Sequence, residues 1–266
     1  MCGIAGILMA PRAADPGRLT AADAMAQTML HRGPDSGGVW ADPQAGIALA
    51  HRRLAIVDLS ASGHQPMVSD SGRMVMTFNG EIYNFRDLRA ELEAAGQRFR
   101  GNSDSEVMLA AFAKQGVASA LDRFAGMFAF GLWDRADRRL HLVRDRLGKK
   151  PLHVALIDGA LVFASELKAF HAVPGFRPSI DPRAIAMVMR QGWVPDSLCV
   201  WREVVKLPPG AMLSIRAEEL DGIDIAGLAG RVRRWWSLAD IAGPGQSAPL
   251  AADPCRLEDE LHDLLR

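Results

Sequence analysis

Residues 3–9, Gly-Ile-Ala-Gly-Ile-Leu-Met, are apolar without a break and include two glycines, the pattern of a short buried strand. Next, Leu19, Ala22, Met25, Ala26 and Met29 recur at helical spacing, which predicts a helix from Arg18 to Leu30. The segment 46–58 reads as strand, short polar break, strand. Met74 to Phe78 is a further strand that runs into Asn79-Gly80, and Phe85 to Ala95, with Leu88, Leu92 and Ala95 on one side, is a helix closed by Gly96. Asn-Gly is also a favoured hairpin turn, but a helix rather than a second strand follows, so a strand-to-helix elbow is expected at Asn79. A second helix spans Glu106 to Gln115, where Ser103 and Glu106 match a capping box.

From Phe124 the pattern turns to strands: 126–133, 140–145, and a hairpin turned at Asp158-Gly159. A helix is expected near 166–171, and another from Pro182 to Arg190 capped by Asp181. Residues 193–215 read as irregular, ending in a short strand. Early helices with many short strands predict stacked sheets flanked by helices. After Ile215 the period fades, and 241–254 is rich in Ala, Gly and Pro, so 216–254 reads as linker. Leu257 to Arg266 starts an amphipathic helix, the expected first element of a further domain over 255–266.

Composition narrows the function class. Among 266 residues, 49% hydrophobic content supports a large core, and 31 basic against 31 acidic residues give no net charge, so nucleic acid is not an implied partner. Three widely spaced cysteines, Cys2, Cys199 and Cys255, match neither a disulfide framework nor a metal site. A reducing, cytoplasmic setting is expected. The apolar opening lacks a basic flank and breaks at Pro11-Arg12, and no run approaches a membrane span in length, so neither a targeting segment nor a membrane partner is expected.

Candidate chemistry starts at Cys2. If Met1 is trimmed, one residue carries both a sulfur nucleophile and an α-amine that titrates near pH ~8, close enough to neutrality to take up and return the thiol proton. Arg52 and Arg53 fall in an expected strand, so their side chains point to opposite faces and only one can face a pocket. That one is either a structural charge or a bidentate clamp for a carboxylate. An elbow at Asn79-Gly80 would present a side-chain amide and an N–H, the two donors an oxyanion hole requires. Asp104 is accounted for by its helix N-terminus alone. The loop 31–38 has the composition of a turn, with an ordered active-site wall as the alternative. His31 and His51 are read as structural.

Taken in order, Cys2-Gly3-Ile4, His31-Arg32-Gly33-Pro34-Asp35, residues 51–58, Asn79-Gly80-Glu81-Ile82-Tyr83-Asn84 and Ser103-Asp104-Ser105-Glu106 resemble the glutaminase domain of class II glutamine amidotransferases. The Asn79 block, with 144–151 and 164–168, looks like the glutamine-hydrolysing asparagine synthetase branch. The resemblance covers Cys2 to about Ile215 and resumes weakly at Arg234-Trp235-Trp236. It implies an α+β fold, the four-layer α/β/β/α sandwich of N-terminal-nucleophile hydrolases, with a glutaminase domain over 2–215.

By the same resemblance Cys2, Asn79 and Gly80 are catalytic. Arg53 clamps the α-carboxylate of L-glutamine, and Asp104 with Glu81 receives its α-ammonium. No cofactor or metal is implied in this chain; ATP and magnesium are expected only in a C-terminal synthetase domain, which receives ammonia through an apolar tunnel and is the expected partner. A homodimer is compatible with the family. His153-Val154 departs from the family, which usually has Tyr after Pro-Leu. Two alternatives remain: the same glutaminase feeding another acceptor, as in a sugar-polymer amidotransferase or a lactam-forming synthetase, or a non-catalytic glutamine-binding module if Met1 is retained.

Overall fold

The computed structural model describes residues 1–11, 15–251 and 253–265. Arg12 of the expected break and Arg266 of the expected terminal helix lie outside them. In chain order the elements are β1 (Gly3–Met9), α1 (Pro16–Leu19), α2 (Ala21–Gln27), β2 (Ser36–Asp42), β3 (Ile47–Arg53), β4 (Met67–Val68), β5 (Met74–Ile82), α3 (Phe85–Ala94), α4 (Asp104–Gln115), α5 (Val117–Arg123), β6 (Gly126–Asp134), β7 (Arg139–Arg144), β8 (His153–Ile157), β9 (Ala160–Ala164), α6 (Pro182–Gln191), β10 (Val204–Lys206), β11 (Ala211–Arg216), α7 (Ile225–Gly230), β12 (Arg233–Arg234), α8 (Leu238–Ser247) and α9 (Pro254–Leu264).

The strands form two antiparallel sheets, ordered β10-β8-β9-β1-β3-β2 and β12-β11-β7-β6-β5-β4. Three apolar layers follow from the period of two along each strand. Ile4 and Leu8 of β1 point into the inter-sheet core with Leu49, Val75, Trp133 and Phe163. Ala5, Ile7 and Met9 point the other way, onto Met25 and Met29. The outer face of the second sheet, through Met76, Phe78 and Phe130, packs on Leu88, Met108 and Phe112 of α3 and α4. This is the expected four-layer α/β/β/α sandwich. Strand β1 is apolar throughout because both its faces are covered. Gly6 in it is obligatory, since a Cβ there would lie 2.4 Å from the Phe163 ring.

Several expectations need correction. Residues 54–58 form an irregular loop, not a second strand, and the end of the expected loop 31–38 already belongs to an edge strand, Ser36–Asp42, whose alternate residues are exposed. The elbow is not at Asn79: β5 continues through Asn79 and Gly80 to Ile82, and α3 starts at Phe85. Pairing with β6 carries the strand on, from Asn79 opposite Ala129 to Ile82 opposite Gly126. The capping box at α4 is half formed. Ser103 accepts from Glu106 N–H, while the Glu106 carboxylate accepts from Arg100 and Gly101 N–H instead of reaching back to Ser103.

The expected linker 216–254 is also revised. The chain divides into compact units at residues 1–235 and 236–266. Residues 217–235 belong to the first because Ala217, Leu220 and Leu228 are buried in the inter-sheet core, and Trp235 stacks on Phe128 while its indole N–H donates to the Arg144 carbonyl at 3.2 Å. Each short element here buries one or two anchors, too few to leave a period in the sequence. In the second unit, 238–247 is helical in spite of Pro244, and α9 begins at Pro254, earlier than expected, with Asp253 as its N-cap. Among the described residues no helix is long and apolar enough to cross a membrane.

Candidate active site

Antiparallel pairing of β1 with β3 sets Gly3 opposite Arg52, so Cys2 emerges beside Arg53 and Leu54. The Leu54 N–H donates to Cys2 Sγ at 3.4 Å, and the thiol points back to the Leu54 carbonyl at 3.6 Å. The Cys2 carbonyl accepts from Arg32 Nε at 2.9 Å, and Arg32 is itself held by Glu166 at 2.9 Å. Burial pushes the Cys2 thiol above its ordinary pKa, while the Leu54 N–H, the terminal amine and the cations Arg53 and Lys150 pull it down.

The second sheet supplies the opposite wall. Thr77 Oγ1 donates to the Ala50 carbonyl at 3.0 Å, and His51 Nε2 donates to the Phe78 carbonyl at 3.0 Å, which locks β5 over β3. Further along both strands Asn79 comes to the Cys2 end. It is buried, and its Nδ2 has no hydrogen-bond partner. An unmet buried donor is costly, on the order of 1–3 kcal/mol, which makes it informative.

The Gly80 N–H is also free, by ladder arithmetic. Phe128, opposite Gly80, gives its N–H and C=O to Asp145 on its other side. Gly80 and Phe128 are therefore a non-hydrogen-bonded pair, and the Gly80 amide faces away from β6. On that edge Phe78 N–H is taken by Gln65 and Ile82 N–H by Asp104, but β4 pairs only with Val75 and Met76. No side chain fits at Gly80, because a Cβ would lie 2.3 Å from the Met127 carbonyl.

All six residues singled out from the sequence, Cys2, Arg53, Asn79, Gly80, Glu81 and Asp104, line one cavity of about 280 Å³. The Arg53 guanidinium donates to the Asp58 and Ser60 carbonyls and has no ion pair among the described residues. Asp104, 5% exposed, accepts from Ile82 N–H at 3.0 Å and has no cation partner among the described residues; burial, and then the Glu81 charge, raises its pKa. A cation without its anion and a buried carboxylate without its cation thus share one space.

Sequence reasoning missed others. Arg32 lies in a turn, as expected, but it is buried and grips the backbone of Cys2, a role the sequence does not single out. Asp58 ties the 54–63 loop down by accepting from Ser60 and from Asn102 N–H at 3.0 Å, and the Ser60 hydroxyl holds its carboxyl below the usual range. Lys150 also lines the cavity. The only sequence signal for these was an excess of charge in loops that flank apolar strands. His31 pairs with Glu166 outside the cavity, and His51, its pKa lowered by burial to about 3, bonds only to Phe78.

Residues 1–224 match the glutamine amidotransferase domain family. The chain belongs to that family. This amidotransferase domain is 38% identical over 235 residues to a putative glutamine-hydrolysing asparagine synthetase of Mycobacterium tuberculosis, a match covering 83% of this chain and 36% of that protein. It is 36% identical over 219 residues to a glutamine-hydrolysing asparagine synthetase of Bacillus subtilis, covering 82% and 34%. An amidase of Gibberella zeae is 37% identical over 191 residues, covering 72% and 28%. The chain therefore spans about a third of the length of the asparagine synthetases it matches.

Among solved structures, the glutamine phosphoribosylpyrophosphate amidotransferase of B. subtilis superposes with a TM-score of 0.63 at 20% identity, covering 88% of this chain and 49% of that one. At that identity the likeness speaks for the N-terminal-nucleophile fold alone. The resemblance read from the ordered sequence blocks, to the glutaminase domain of asparagine synthetases, holds for this amidotransferase domain.

Proposed function

We propose that this domain, once Met1 is removed, hydrolyses L-glutamine to L-glutamate and ammonia through a Cys2 thioester. The supporting observation is the charge complement of the Cys2 cavity. A free amino acid brings an α-carboxylate to Arg53 and an α-ammonium to Asp104 and Glu81, and each partner lacks an ion pair among the described residues. A glutamine within a peptide has neither charge and leaves both groups unpaired, which costs several kcal/mol for the buried one.

With those ends held, the side-chain amide lies over Cys2. The freed α-amine takes the thiol proton, and Sγ attacks the amide carbon. The carbonyl electron pair moves to oxygen, where Asn79 Nδ2 and the Gly80 N–H donate to it. On collapse the C–N bond breaks, nitrogen leaves as ammonia with the proton returned from the amine, and water then cleaves the thioester. Met1 lines the cavity and is itself exposed, so a processing enzyme can reach it.

Ammonia released in this way would serve an ATP-dependent amidation, and the two asparagine synthetase relatives favour aspartate as the acceptor. ATP and magnesium belong, in this reading, to a synthetase domain beyond the present sequence. A reducing cytoplasm suits a reactive thiol, and Cys2, Cys199 and Cys255 are all free thiols. The amidase relative keeps a different acceptor as the second reading.

The test is direct: the processed chain, its N-terminus checked by intact mass, should release glutamate and ammonia from free glutamine, and Cys2→Ala should abolish this. Activity that survives Cys2→Ala, or that requires Met1, rejects the reading. Feeding the ammonia to aspartate requires the longer protein and is tested there by asparagine formation from glutamine.

A further inference from the structure

One charged group in the cavity has no part in the chemistry above. Lys150 is 7% exposed, and its ammonium has neither a hydrogen-bond acceptor nor an ion-pair partner among the described residues. Its side chain lines the cavity, and this fold invests a whole loop in placing it. Residues 145–152 cross from β7 in one sheet to β8 in the other. Asp145, 1% exposed, accepts from the N–H groups of Phe128, Leu147, Lys149 and Lys150. The Arg144 guanidinium holds the carbonyls of Gly148 at 2.7 Å, Lys150 at 2.9 Å and Leu207 at 2.7 Å. The Lys150 backbone is thus pinned at both N–H and C=O, which leaves the side chain as the free variable.

The loop closes the Cys2 end of the sandwich. It leads into His153, whose partner Ala164 precedes Ser165, and Ser165 exchanges hydrogen bonds with Ile4 of β1 at 3.1 and 2.9 Å. Other charges facing the thiol or its cavity are Arg53 at the end of β3, Asp58 from the following loop, Glu81 of β5, Asp104 of α4 and the terminal amine; Arg32, neutralised by Glu166, sits on the Cys2 carbonyl. Three carboxylates share the cavity with these cations, and Lys150 adds to the positive charge of Arg53 and the terminal amine that favours a thiolate at Cys2. Lys150 and Cys2 line the same cavity, and the positive charge of Lys150 favours the Cys2 thiolate.

We propose that Lys150 is an electrostatic residue of the glutaminase site, standing at the Cys2 end of the cavity to stabilise negative charge on Sγ and on the attacked carbonyl oxygen. As the C–S bond forms and the carbonyl pair moves to oxygen, the positive charge of Lys150 lowers the energy of both anions. The proposal rests on the glutaminase reading for its second half, but its effect on the thiol does not require glutamine.

The test compares the processed wild type with Lys150→Met, Lys150→Gln and Lys150→Arg. Alkylation of Cys2 by the neutral reagent iodoacetamide is followed against pH by mass spectrometry of the N-terminal peptide, so that Cys199 and Cys255 do not contribute. The Met and Gln variants should raise the apparent thiol pKa by about one unit. They should lower kcat for glutamine by about tenfold or more while KM moves less than about threefold. Lys150→Arg should lie nearer wild type in both.

An unchanged alkylation profile in correctly folded Met or Gln variants overturns the proposal. So does a rise in KM with kcat intact, which would place Lys150 on the substrate's carboxylate. If Lys150→Met fails to fold, Lys150→Gln gives the same comparison. A wild type that does not hydrolyse glutamine, yet whose thiol pKa still responds to Lys150, rejects the glutaminase reading and leaves the link between Lys150 and the thiol standing.

Discussion

Asp104 is a buried carboxylate whose protein partners are all neutral donors, so its charge is stabilised only when a cation arrives. Burial and the Glu81 charge raise its pKa. Below that raised value Asp104 is neutral and cannot attract an ammonium, whereas above it the charge is available. The KM for glutamine should therefore climb as pH falls through a range above that of ordinary carboxylates, and bound glutamine should shift the range downward. Asp104→Asn keeps an acceptor for Ile82 N–H but loses the charge. We expect its KM to rise about 30-fold or more, on the order of 2 kcal/mol, and to lose the acid dependence; a variant with unchanged KM would show that the ammonium binds elsewhere.

The same reasoning gives Asn79 a different signature, because its unpartnered Nδ2 meets an oxygen that becomes anionic only during reaction. Asn79→Ala should cut kcat by a factor of ~10² to 10³, with little change in KM. Equal losses in both parameters would point to misplacement of substrate instead.

At the scale of elements, the site depends on two strands that face each other at their ends. Strand β1 delivers Cys2, and β5 delivers Asn79 and Gly80, whose non-hydrogen-bonded register with Phe128 turns the Gly80 amide away from β6 and toward the cavity. In Gly80→Ala the new Cβ would meet the Met127 carbonyl at 2.3 Å and Phe128 Cα at 2.7 Å, both backbone atoms that cannot step aside. The strands must separate, at a cost of roughly 1–3 kcal/mol, and the oxyanion donors move with them. The variant should lose kcat and melt lower, and a fully active Gly80→Ala would exclude this amide from catalysis.

The strand over 3–9 was readable because burial on both faces leaves an unbroken apolar run. Asn79-Gly80 reads as an elbow in the sequence because the local signals of a turn are the same two residues that here lie inside a paired strand. The pairing partner Ala129 lies 50 residues away and decides the matter.

For the whole molecule, the first compact unit extends to residue 235. Ending the chain at Ile215 would remove Leu220 and Leu228 from the inter-sheet core and Trp235 from Phe128, a loss of roughly 4 kcal/mol or more. A chain of residues 1–235 should unfold at a clearly higher denaturant concentration than one of 1–215 and keep its glutaminase activity. Equal midpoints would return the boundary to Ile215.

The order of the motif blocks along the chain, the strand that carries Cys2, and the identity of the charged and amide side chains at the site were all present in the sequence, because covalent neighbourhood and side-chain chemistry are local properties. Which of Arg52 and Arg53 faces the cavity, that Arg32 holds the Cys2 carbonyl and Lys150 lines the same cavity, and that Gly80 leaves its amide unpaired were settled only by tertiary structure. Each depends on the register between strands or sheets, and register is fixed by packing across the core.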